Sequence, residues 1–213
     1  MKEPVIMYRE SFWYLIGLGA LTILAFIFNI WLGSFIFLLF LFVLFFFRNP
    51  PRQIPEEETA VISPADGVVL EVTEVLENQY LKGPAVKVSI FLSIFDVHVN
   101  RAPIAGQVEY VHYRPGKFLP AFKSHASEIN ERNYVGLKND LIKVLVVQIT
   151  GFVARRIVCF VKPGDTLKKG QLFGMIKFGS CTEIYVPKDR VEILVEKGQR
   201  VFAGTTVIGR IKR

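Results

Sequence analysis

From Ser11 to Phe47 the chain carries no charged residue; Glu10 bounds the run on one side and Arg48 on the other. One spanning helix takes about 20 apolar residues, so this run is too long for one span and barely long enough for two. Breaks fall at Asn29 and at Gly33-Ser34. The pattern predicts two short helices, 12–28 and 31–47, in a hairpin whose turn is uncharged. A single tilted span followed by an interfacial segment is the second reading. A secretory signal fits badly, because its apolar core is shorter and a small-residue cleavage site follows it. Here the run ends in "FFFRNPPRQIP", where Pro50-Pro51 stop any helix and Arg48 and Arg52 stand just past the membrane.

Beyond the polar linker "RQIPEEET" the period changes from helical to alternating. In "AVKVSIFLSIF", Val86, Val88, Ile90 and Leu92 take one face, and Lys87, Ser89 and Ser93 the other. "GQVEYVHY", "LIKVLVVQIT" and "RRIVCFV" read as further strands, with Val108, Tyr110 and His112 on one face of the first. Helical spacing appears once more, over 118–130 ("FLPAFKSHASEIN"). "VKPGDTLKKGQLFG" (161–174) and "VEKGQRVFAGTTVI" (195–208) echo each other at an offset of 34, with Gly164 matching Gly198 and Gly170 matching Gly204. Together with "SPADGVVLEV" this resembles the half-motifs of the barrel-sandwich hybrid of biotinyl and lipoyl carrier domains. The predicted fold class is therefore mainly β: a barrel-sandwich-hybrid-like domain (49–213) with one or two short helices. An N-terminal transmembrane helical hairpin (1–48) precedes it.

Composition adds a side to this picture. The chain of 213 residues has a formal charge of +7; Lys2 and Arg9 cancel Glu3 and Glu10, so residues 48–213 carry all of it. A basic domain next to a membrane run belongs on the side of positive loops and anionic headgroups, which predicts a cell-membrane protein with its domain in the cytoplasm. Nucleic acid is the other usual partner of basic surfaces, but no aromatic-basic, helix-turn-helix or zinc spacing supports it. Cys159 and Cys181 form no metal or redox spacing and are read as reduced and structural. No metal is expected.

Four segments stand in order: "FFFRNPPRQIP", "SPADG" (63–67), "FLSIFDVHVNRAP" (91–103) and "FGSCTEIYVP" (178–187). With "PGKFLPAF" and "ASEINERN", this ordered set resembles the phosphatidylserine decarboxylase family in its short, single-chain-precursor branch, from about Phe45 to the C-terminus. The resemblance implies a proenzyme that cuts itself between Gly179 and Ser180, giving a large chain (1–179) and a small chain (180–213). Ser180 then becomes a pyruvoyl group, which serves as the electron sink for decarboxylating a serine phospholipid to its ethanolamine counterpart. It implies no external cofactor, and a tendency to homodimerise. Asp66 matches the family's aspartate in a triad with serine and histidine, and His98 is the histidine carried over, on one strand face with Asp96 and Asn100.

Here the sequence departs from its longer relatives. Those have a second histidine three residues on, and this chain has Arg101. Either His98 takes both roles or the base comes from elsewhere; Arg101 is a candidate for binding substrate phosphate or carboxylate through its fork. His112 reads as structural and His125 as a surface residue of the 118–130 helix. Asn130, Glu131 and Arg132 read as support for the site, and Lys177 as a plain strand lysine. A non-catalytic membrane-anchored carrier or binding module is the alternative; it explains the glycine echo and leaves Asp66, His98 and Gly179-Ser180 as coincidences. Ester- and ether-linked lipids are not separable at this level.

Overall fold

The computed structural model of the chain describes residues 3–117, 129–151, 156–177 and 180–212. All but the last two residues of the 118–130 helix lie outside this set, as do His125 and Gly179. The chain forms two compact units, Met1–Pro51 and Arg52–Arg213.

The first unit is a helical hairpin of α1 (Glu3–Phe28) and α2 (Ile30–Phe46). Asn29 breaks the run because its backbone is extended (φ −158°, ψ 124°) and its side chain accepts from the Trp31 and Leu32 amides, capping α2. Gly33 lets the helices close: a Cβ there would lie 2.4 Å from the Phe26 ring. Outside the contact, large apolar side chains such as Trp13, Ile23, Phe28 and Trp31 stay 70–81% exposed, as on a helix meant for lipid. Residues Arg9–Phe28 are long and apolar enough to cross a membrane, whereas α2 falls short of that length. One such helix among the described residues suggests membrane anchoring.

The second unit is all-antiparallel β. Its main sheet runs, in spatial order, β13 (Arg200–Val201), β2 (Gly67–Glu77), β3 (Gly83–Leu92), β11 (Ser180–Pro187), β7 (Lys143–Thr150), β6 (Arg132–Lys138), β5 (Gly106–Arg114) and β9 (Thr166–Leu167). Two three-stranded sheets complete it: β1 (Ala60–Ile62), β14 (Val207–Ile211) and β12 (Val191–Ile193), and β4 (Val99–Arg101), β10 (Leu172–Lys177) and β8 (Arg156–Cys159). The offset of 34 is structural. β9 and β13 are its two-residue copies, capping opposite edges of the main sheet. The four echoing glycines share positive φ, 97° and 88° at Gly164 and Gly198, 77° and 83° at Gly170 and Gly204.

Val86, Val88, Ile90 and Leu92 do face the core, against Val144, Val146, Ile184 and Val186. The face assigned to β5 is corrected. A register shift between Val108 and Tyr110 turns Val108 and Val111 to the core, while Tyr110 and His112 lie on the opposite face beside the buried Tyr134, at ring distances near 6 Å. The extra residue of a bulge inverts the alternation beyond it.

Candidate active site

On three central strands the core-facing positions change character towards one end of the sheet. Along β11 they read Val186, Ile184, Thr182, Ser180; along β7, Val144, Val146, Gln148, Thr150; along β6, Leu137, Val135, Asn133. Buried polar side chains need partners, and here they find one another. Asn133 Nδ2 donates to Gln148 Oε1 (2.8 Å), Gln148 Nε2 to Asn100 Oδ1 (2.8 Å), and Asn100 Nδ2 to Thr182 Oγ1 (3.0 Å). All four residues are at most 3% exposed. The line fastens β4, the strand that follows His98, onto the strand that begins with Ser180.

Ser180 opens β11, paired with Leu92 of β3 on one side and Thr150 of β7 on the other. It is wholly buried, and among the described residues its hydroxyl has no hydrogen-bond partner. An orphaned hydroxyl in a dry interior is costly, and such a cost persists where a site uses the group. Asn130 and Glu131 do support this point: Asn130 Nδ2 donates to the Thr150 carbonyl (2.7 Å), and the Thr150 amide donates to the Glu131 carbonyl (3.1 Å).

Three more expected residues come to the same end. Asp66 is buried; Arg52 donates to its Oδ2 (2.7 Å) and the Ala203 amide to its Oδ1 (2.8 Å). Asp66-Gly67 is no hairpin turn, because Gly67 begins β2 with φ +155° and a Cβ there would meet the Phe91 carbonyl oxygen at 2.1 Å. His98 is 1% exposed, and its Nδ1 lies 2.9 Å from the Asp96 carbonyl oxygen. A carbonyl only accepts, so Nδ1 carries a proton, and in the neutral ring Nε2 is the acceptor nitrogen. Arg101 is buried as well; its Nη1 donates to the Gly170 carbonyl (2.8 Å) and its amide to the Pro64 carbonyl of "SPADG" (2.9 Å). Lys177 closes β10 and is buried.

The opposite face of β11 is a separate environment. Glu183 accepts from the Tyr185 hydroxyl (2.7 Å), and burial pushes its carboxyl above the ordinary range. Burial likewise raises the Cys181 thiol, with Glu183 beside it adding to the effect. That suits a structural cysteine.

Sequence reasoning passed over Arg52, Gln148, Thr182 and Asn133. Thr182 was within reach, since alternation puts it on the Ser180 face. The partnership of Arg52 with Asp66 was not, because only folding brings them together.

Fold and site define a class: a membrane-anchored β protein with a serine buried at the head of a central strand, and a histidine and an aspartate at the same end of the sheet. Residues 39–209 match the family described as phosphatidylserine decarboxylase. A phosphatidylserine decarboxylase proenzyme of Carboxydothermus hydrogenoformans is 77% identical over the whole of both chains. One of Symbiobacterium thermophilum is 50% identical over 99% of this chain and 98% of its own. One of Syntrophus aciditrophicus is 42% identical over 98% and 99%. The chain belongs to the phosphatidylserine decarboxylase family.

Proposed function

We propose that this chain is a self-processing, membrane-anchored decarboxylase that converts phosphatidylserine, or an ether-linked counterpart, to the ethanolamine lipid and carbon dioxide. The observation that carries the reading is the Ser180 hydroxyl, buried and, among the described residues, without a partner at the head of a strand held on both sides.

In the self-cleavage, Ser180 Oγ attacks the carbonyl carbon of Gly179, and the peptide nitrogen leaves as the ester forms. His98 takes the hydroxyl proton at Nε2, the nitrogen its tautomer leaves as acceptor. Elimination across Cα–Cβ of residue 180 releases chain 1–179 as a carboxylic acid, and water replaces the nitrogen left on the small chain, freeing ammonia. Family membership supplies the prosthetic group, a pyruvoyl derived from a serine, and Ser180 fits as its source. That group accepts the electron pair left when carbon dioxide departs.

His98 then returns a proton at the headgroup carbon, which lets one histidine serve both stages where Arg101 replaces a second. Asp66, fixed by Arg52 and the Ala203 amide, places negative charge at the same end of the sheet and steadies the histidine when it is protonated. Arg101, two positions beyond Val99, is the anion contact proposed for the headgroup. The domain comprising residues 49–213 works on the cytoplasmic side, where the basic surface meets anionic lipid.

Intact mass under denaturing conditions tests the reading. We expect two chains, the smaller equal to residues 180–213 less one ammonia. Ser180→Ala should give one uncut chain with no turnover; a cut Ser180→Ala chain would end the proposal.

A further inference from the structure

Turns are usually polar, filled by Gly, Asn, Asp and Ser, yet two turns at the Ser180 end of the sheet also present large apolar side chains to solvent. The first is pinned by the Ser93 amide donating to Asp96 Oδ2 (2.8 Å) and the Asp96 amide to the Ser93 carbonyl (2.8 Å). Its tip is Ile94-Phe95, exposed by 36% and 63%. The second is pinned by the Thr206 amide donating to the Phe202 carbonyl (3.0 Å) and the Phe202 amide to Thr206 Oγ1 (2.9 Å). It leaves Phe202 42% exposed. One arginine joins the turns: Arg200 pairs with Asp96 and lies over the Phe202 ring at 5.8 Å. Arg52 lies over the same ring at 6.0 Å.

We infer that Ile94, Phe95 and Phe202, with Arg200, form the surface by which the β unit rests on the bilayer. The aromatic and aliphatic tips enter the headgroup layer, and the Arg200 guanidinium, its side chain 53% exposed, meets lipid phosphate. The occupant follows from two observations besides exposure. Arg52 comes six residues after Phe46, so by chain length alone it is within about 21 Å of the end of α2. Apolar tips beside the exposed Arg200, on a chain of charge +7, suit an anionic lipid surface. The patch borders the strand ends that carry Asp66 and Ser180, so docking there brings the site to headgroup depth. The inference rests on the bilayer substrate proposed above.

The test uses the full chain in vesicles of phosphatidylcholine and phosphatidylglycerol. A fluorophore is attached at Phe95→Cys, Phe202→Cys or, as control, Leu141→Cys, which is 42% exposed at the opposite end of the sheet, between β6 and β7. Unsubstituted protein gives the background from Cys159 and Cys181. Lipids brominated near the headgroup should quench the labels at 95 and 202 at least several-fold more than the label at 141. Equal quenching at all three positions overturns the inference. So does shielding of 95 and 202 from both brominated lipid and aqueous iodide, which would mean that a second copy covers the patch. The quenching needs no turnover, so a failure of docking can be told apart from a failure of the decarboxylase reading. In active protein, Phe95→Ser with Phe202→Ser should cut turnover of vesicle substrate about tenfold. Turnover of a short-chain, monomeric serine phospholipid should stay unchanged; equal loss on both substrates counts against bilayer docking.

Discussion

Ser180 and Glu183 lie three positions apart on one strand, on opposite faces, and are buried for opposite reasons. Among the described residues the Ser180 hydroxyl is buried without a partner, and in the proposed mechanism its reactivity is what it contributes. The Glu183 carboxyl has partners but is held among Cys181, Tyr185 and Ser89, where burial disfavours its charge and raises its pKa. A raised carboxyl binds its proton more tightly folded than unfolded. Its stabilising share is therefore complete below about pH 4.5 and is lost as pH climbs through the folded value. Glu183→Gln has no such loss. Its melting temperature, measured on uncut Ser180→Ala protein, should match the parent at acid pH and exceed it at pH 8 by roughly 2–4 °C. A difference that does not grow with pH would show that Glu183 is not held in its protonated form.

At the scale of elements, the line Asn133–Gln148–Asn100–Thr182 joins three strands of the main sheet to β4. Gln148 is its middle link, both accepting and donating. Gln148→Leu keeps the volume but leaves two buried amides short of a partner, at about 1–3 kcal/mol each, which thermal unfolding should register. Because the line also fixes the strand after His98 against the one that starts at Ser180, self-cleavage should slow by about tenfold in the folded fraction. A cleavage rate equal to the parent's, with stability lowered, would make the line a scaffold only. The elements were largely readable: strict alternation from Val86 to Leu92 and the uncharged run from Ser11 to Phe47 each correspond to what formed. The face of His112 was misread because a bulge in β5 is set by pairing with β6, which local alternation does not record.

At the scale of the molecule, the proposed cut falls at the edge of a central strand paired on both sides. Residues 180–187 hydrogen-bond to β3 along their whole length and to β7 over six residues, and Ile184 and Val186 sit in the core. After cleavage the small chain should therefore stay with the large one through native chromatography and separate only in denaturant. Release of the small chain under native conditions would contradict this sheet order. The order also shows where the sequence stopped. Composition and period determined the apolar anchor and the change to β structure. The spaced glycines determined the repeated half-motif, because each reports a backbone demand made within a few residues. The tertiary structure alone decided that Arg52 holds Asp66, that Gln148 bridges to Asn100, and that Ile94, Phe95 and Phe202 form one surface. Those pairings join residues from 14 to over 100 positions apart, and only the closing of the sheets brings such residues within a bond's length of each other.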